Sequence, residues 1–168
     1  MSKERGQTDM GLSFHLLASI ILFNAAALLI PKKLNRIEHY ATTLFSLLLV
    51  LVTDITLNLK YDLYGYWGSG VDWIGYLAIY GIYPAVNVLF LNLFPYRQSL
   101  AAKSLYVAGW WLFAVGYEYS AVRADWFYYN GWKLTYSTLI YPFLYMMLLW
   151  NLYWVRRILA RPAREPAE

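Results

Sequence analysis

Charge is absent from most of this chain. Five apolar stretches, at roughly 11–30, 41–59, 74–94, 100–122 and 134–155, are each close to the length of one membrane crossing, and polar residues are confined to the short connections between them. A helix spanning the hydrocarbon core of a bilayer needs about 20 predominantly apolar residues. With no water there to bond the backbone, such a segment must satisfy its own N–H and C=O groups, which a helix does. The pattern therefore predicts an all-α integral membrane bundle of about five transmembrane helices occupying residues 1–157, followed by a disordered cytoplasmic tail at 158–168. Composition agrees: 60% of residues are hydrophobic and 14% charged, against about half and a quarter in soluble domains. Ala25-Ala26-Ala27 after a basic start is partly like a cleavable secretion signal. Leu28-Leu29-Ile30 continue the apolar run past that point, and Glu4 and Asp9 dilute the basic start, so a retained first span is expected.

Orientation follows from the basic residues of the connections. With the N-terminus outside, the inner segments hold Lys32, Lys33, Arg36, Arg97, Lys103, Arg156, Arg157, Arg161 and Arg164, nine in all; the outer ones hold Lys3, Arg5, Lys60, Arg123 and Lys133, which is five. The expected topology is N-out, C-in. Clustered Lys and Arg would also suit nucleic acid, but in so apolar a chain they read as cytoplasmic flanks, and no nucleic-acid partner is expected. The absence of cysteine excludes disulfides, thiol catalysis and thiolate-bound metals.

Two outer connections echo each other, YDLYGYWGSGVDW at 61–73 and ADWFYYNGWKLTY at 124–136. Trp and Tyr favour membrane interfaces, so Tyr61, Tyr64, Tyr66, Trp67, Trp73, Trp126, Tyr128, Tyr129 and Trp132 are expected to anchor two hairpin turns. The order of residues goes further. Asp54, Lys60, Asp62 and Trp67 are followed by Ile82-Tyr83-Pro84 and Asn92. Glu118, Arg123, Asp125 and Trp132 are followed by Ile140-Tyr141-Pro142 and Asn151. From the acid, the base lies six or five residues on and the aspartate eight or seven. This ordering suggests a parallel duplication of a two-helix hairpin, with the first span added.

The runs DLYGYW…GVDW, GIYPAVNVLFLNLFP and GYEY…FYYNGWKLTYSTLIYP resemble a family of small uncharacterised membrane proteins from spore-forming bacteria, over about residues 40 to 157. The resemblance implies a multi-pass protein of a bacterial cell membrane. It carries over no activity and no site residue.

Candidate site residues follow from the cost of polar groups in lipid. A carboxylate near the bilayer centre costs about 2.5–3.5 kcal/mol on insertion scales, so Asp54 and Glu118 should face the protein interior. They could share a cation or proton site, with Asn58 one turn after Asp54; alternatively Lys60 or Arg123 reaches back to pair with them. Pro84 and Pro142 each remove an amide donor, and a kink lined by Tyr83 and Asn87 would open a polar pocket. Trp67 and Trp132 complete a candidate aromatic vestibule. Gly109 and Gly116, with Ala101 and Ala108, suggest close helix contact, while Asn24 and Asn151 suit bonds between helices. His15 and His39 fall at opposite ends of their spans, which disfavours a histidine metal site. GSGVD at 68–72 is one residue too long for an intramembrane aspartyl-protease motif, and no phosphate-binding loop, HExxH or nucleophile elbow occurs.

Three function classes remain. The leading expectation is a non-enzymatic membrane component that binds partner proteins or lipids, since no reactive constellation is visible. The alternative is a small-ligand or cation transporter or sensor built on Asp54 and Glu118, which would need to dimerise to enclose a path. The third is a membrane-embedded lipid-modifying enzyme. Neither cofactor nor metal is expected; the partners would be the bilayer and a second copy or another membrane protein.

Overall fold

The computed structural model describes residues 14–68, 70 and 73–160, with backbone only at 73 and 74. Its helices are α1 (Phe14–Leu29), α2 (Arg36–Thr53), α3 (Trp73–Leu93), α4 (Leu100–Arg123) and α5 (Leu134–Leu159). A π-helical segment, Asp54–Lys60, continues α2. Residues 1–13 and 161–168, which include Lys3, Arg5, most of the expected tail and the start of the first span, lie outside the described residues. Asp72 does as well. α5 stays helical to Leu159, two residues into the stretch expected as tail.

The α2 helix starts at Arg36, earlier than the apolar run, because its first turn is capped by side chains. Asn35 accepts from the Glu38 amide at 2.9 Å while Glu38 accepts from the Asn35 amide at 2.9 Å, a reciprocal box that satisfies two of the orphan donors at the helix start. The interior face of the helix is polar. Glu38, Thr42, Ser46, Asp54 and Asn58 are buried at four- or eight-residue intervals, while Leu44, Leu48, Val52 and Ile55 point outward. A helix on a water-soluble core shows the opposite arrangement. The composite helix Arg36–Lys60, Gly75–Leu93 and Leu134–Leu159 are long and apolar enough to cross a membrane. The 24-residue α4 is long enough, but its three tyrosines, two tryptophans, Lys103 and Glu118 reduce its apolarity. The described part of α1 is apolar but only 16 residues long.

α2 packs antiparallel to α3 and α5, and α4 antiparallel to α5, whereas α1 runs parallel to α3. Along α3, Gly81 leaves room for Ile20, which would lie 2.9 Å from an added Cβ, and Asn24 donates to the Gly81 carbonyl at 2.7 Å. At one end of the bundle, Asn92 Oδ1 accepts from the amides of Lys33 (2.7 Å) and Leu34 (3.1 Å). Arg156 donates to Glu38 at 2.8 Å and lies 4.5 Å above the Tyr96 ring. The loops 30–35 and 94–99 and the end of α5 are thereby gathered on one side.

At the other end the two aromatic passages do more than turn. Strands β1 (Tyr64–Tyr66) and β2 (Phe127–Tyr129) pair antiparallel, Tyr64 opposite Tyr129, Gly65 opposite Tyr128 and Tyr66 opposite Phe127. The purely helical expectation thus lacked this ribbon. Its aromatic side chains are also placed differently from the interfacial anchors expected: Tyr64, Tyr66 and Trp126 are buried. Two residues before each strand stands an aspartate with left-handed backbone, Asp62 (φ 49°) and Asp125 (φ 60°), a conformation Asp tolerates better than most side chains. Asp62 lies one residue further from its acid than Asp125 does, and the extra residue falls where the helix is π-wound, with the Tyr61 amide bonded to the Thr56 carbonyl at 3.2 Å. Such bulges absorb a single insertion within a helix.

Both prolines sit inside helices. Pro142 offers no N–H to the Thr138 carbonyl, and the Trp111 indole of α4 donates to that carbonyl instead, at 2.8 Å. Gly109 and Gly116 do not make the close helix contact expected of them; a side chain at either would meet nothing within 4 Å. Removing the indole donor with Trp111→Phe should lower stability by about 1–2 kcal/mol, read as a lower thermal midpoint in detergent. An unchanged midpoint would mean that the carbonyl finds another donor.

Candidate functional site

The interior holds a partly open cavity of about 230 Å³ beneath the ribbon. Both acids line it, Asp54 from the π segment and Glu118 from α4, together with Tyr83 and Asn87 of α3 and Trp132 ahead of α5. The structure thus brings five of the seven residues singled out from sequence to one place. Trp67 is not among the lining; it packs on Trp126 at 5.8 Å between ring centroids. Asn58 is buried and lines, together with Asp54, a second and smaller cavity of about 80 Å³ rather than the central one.

Among the described residues no cation pairs with either acid. Lys60 extends over the Tyr61 ring and Arg123 over the Tyr119 ring, at 5.1 and 5.9 Å, and the one ion pair among the described residues is Arg156–Glu38. Hydroxyls do the work instead. Asp54 accepts from Tyr64 at 2.6 Å and Tyr66 at 3.1 Å. Glu118 accepts from Tyr129 at 2.5 Å, from Ser137 at 2.7 Å and from Tyr141. The direction of the serine bond is forced: the Trp132 indole, a donor only, gives its N–H to Ser137 Oγ at 2.8 Å, leaving the single serine proton for Glu118. Burial, with Asp54 adding its charge, pushes the Tyr64 phenol up. Burial and the bond to Glu118 raise Tyr129 likewise, so both stay protonated donors at neutral pH.

Tyr83 lines the cavity together with both acids, one flank of its ring exposed. One turn along α3, Asn87 is 1% exposed. Its amide makes a long bond of 3.4 Å to Thr42, while its Oδ1 and the nearby Ser46 Oγ have no partner among the described residues. Apart from Thr53 the remaining lining is apolar or aromatic, including Phe23, Val86, Phe113, Phe127, Leu144 and Tyr145, and among the described residues it contains neither Lys, Arg nor His.

Sequence reasoning missed the hydroxyl cages, Tyr64, Tyr66, Tyr129, Ser137 and Tyr141, as groups that touch the acids. A signal was present: each acid is followed within about one loop by a tyrosine pair spaced two apart or by serine and tyrosine four apart, and the second IYP contains the tyrosine that reaches Glu118. The histidines stand at opposite ends. His39 lies near Asn92. His15 accepts the Trp126 indole N–H on Nδ1 at 3.0 Å, so its proton sits on Nε2, facing Ser120 Oγ at 3.0 Å, which donates to the Tyr117 carbonyl at 2.7 Å. This neutral imidazole joins α1 to α4 and to the ribbon. Among the described residues no group of His, Cys, Asp and Glu is placed to hold a metal ion.

No family model, curated protein or solved structure matches the chain.

Ser137→Ala takes a donor from Glu118 and strands the Trp132 N–H, and should cost about 2 kcal/mol. Asn87→Leu removes an orphan acceptor at similar volume and should leave the apo-protein unchanged or about 1 kcal/mol more stable. Thermal unfolding of both variants checks the pair; a strongly destabilised Asn87→Leu would show that Oδ1 is bonded.

Proposed function

We propose that this chain is an integral membrane protein of five spans, N-out and C-in, in a bacterial cell membrane, and that it senses or carries a small molecule bound in its central cavity. One observation carries the ligand reading: two buried carboxylates from different helices line the same cavity, with no cationic side chain among the described residues of its wall. A purely structural pair of acids needs no such space beside it. The size is suited to a small ligand, larger than an engineered cavity of about 150 Å³ that holds benzene and below the roughly 300–1,000 Å³ of drug-sized sites. Membrane location is supported by the inverted pattern of α2 and by the outward Leu, Phe and Trp of α4 and α5.

A duplicated hairpin is supported by the ribbon, whose register places Gly65 and Tyr128 at its centre as a local two-fold axis would. The paired left-handed aspartates and the single residue absorbed by the π segment fit the same ancestry. A second reading, a component that binds other membrane proteins or a second copy, is favoured by the unfilled space at Gly109 and Gly116.

The chain has no cysteine, so single introduced cysteines report topology cleanly. Asn130→Cys in intact cells should react with a membrane-impermeant maleimide, and Gln98→Cys only after lysis; the reverse pattern would invert the orientation, and equal labelling of both would overturn the spanning arrangement. Native mass spectrometry of gently solubilised protein should retain a small molecule that is lost in folded Ala114→Phe, where the ring fills the cavity. Retention of a protein partner alone, equally in both forms, would favour the second reading.

A further inference from the structure

Resting on the ligand reading above, we propose that the cavity binds a small organic ammonium ion with N–H donors and a second hydrogen-bond donor at its other end. The hydrogen-bonding inventory of the wall points this way. The polar atoms with capacity left are chiefly acceptors. A carboxylate offers about four lone-pair positions; Asp54 uses two and Glu118 three on hydroxyls. That leaves roughly three between them, the number of N–H groups on a primary ammonium. The deeply buried Asn87 Oδ1, without a partner, supplies a further acceptor one helical turn along α3 from Tyr83. The Ser46 hydroxyl beside it is unpartnered too and can serve either way.

Charge leads to the same class. An anionic ligand would meet two acids and no Lys, Arg or His in the wall. A bare divalent ion would need more oxygen ligands than the acids have free, and no metal-holding group exists among the described residues. A proton alone needs no apolar chamber. The rest of the wall suits an organic cation: Tyr64, Tyr66, Tyr83, Trp126, Trp132 and Tyr141 surround the carboxylates, and aromatic faces attract desolvated cations. Phe113, Val86 and Leu144 present hydrocarbon to its body. The ammonium sits between the two acids, the body runs along α3, and the far donor meets Asn87.

Four probes of matched size test this in lipid nanodiscs: tyramine, phenethylamine, its N-trimethyl analogue and phenethyl alcohol. Quenching of tryptophan fluorescence, with Trp126 and Trp132 in the wall, and thermal shift read the binding. In wild type, tyramine should bind saturably and about tenfold or more tighter than the alcohol and the trimethyl compound, one decade being 1.4 kcal/mol. Asp54→Asn and Glu118→Gln should each weaken it by about tenfold. Asn87→Leu should weaken tyramine about fivefold and leave phenethylamine unchanged. The ranking in wild type needs no variant, and Asn87 lies outside the hydroxyl cages, so misfolding of the acid variants does not blunt the test. Alcohol binding as tightly as the amines, tightest binding of the trimethyl compound, or no amine binding at all overturns the ammonium inference. If native mass spectrometry then still finds a cavity-bound molecule that tyramine does not displace, the ligand reading survives and only its chemical class falls; if it finds none, both fall.

Discussion

Two carboxylates held inside a bundle by hydroxyl groups are the interaction around which this molecule is arranged. An acid removed from water must be paired or hydrogen-bonded, and pairing with Lys60 or Arg123 was within reach of the sequence. The chain brings phenols inward instead. Tyr64, Tyr66 and Tyr129 come from the connecting passages and Ser137 and Tyr141 from α5, so satisfying the acids obliges the ribbon to fold down onto the helices. Hydrogen bonds to charged groups are worth about 1.5–3 kcal/mol each, enough to hold the short ribbon against the bundle. The cations stay on the rim over Tyr61 and Tyr119, and the interior keeps its negative character.

The first helix is the asymmetric part. It runs along α3, where Gly81 and Asn24 fit it closely, and Phe23 packs against Phe113 and Tyr117 of α4. His15 completes that contact. Because Trp126 can only donate, the imidazole is fixed in one neutral tautomer, and a proton added at Nδ1 would displace the indole. α1 therefore closes a side of the cavity that the two hairpins leave uncovered.

Hydrophobic runs marked the five helices closely, because helix position in such a chain is a local property of composition. The third, fourth and fifth helices start within a residue of the expected positions. What escaped depends on partners distant in sequence. Asn35 and Glu38 lengthen α2 through a cap, and Arg156 meets Glu38 across 118 positions. The ribbon joins residues more than sixty apart, and three-residue strands leave almost no periodic signal. The convergence of Asp54, Glu118, Tyr83, Asn87 and Trp132 was legible from the cost of polarity in lipid. The π winding that carries Asn58 into the smaller cavity with Asp54 was not legible, because no propensity announces it. Trp111 as substitute donor for Thr138 was equally invisible, since proline reveals the missing bond but not who replaces it.

The ribbon also sets how the two hairpins can move. Its strands knit their ends together on one side of the bundle, while on the other side α2 and α5 are joined through the Glu38–Arg156 pair and the stacked Tyr96. The two hairpins are therefore tied to each other at both ends, by main-chain bonds at one and by a charged, ring-stacked contact at the other.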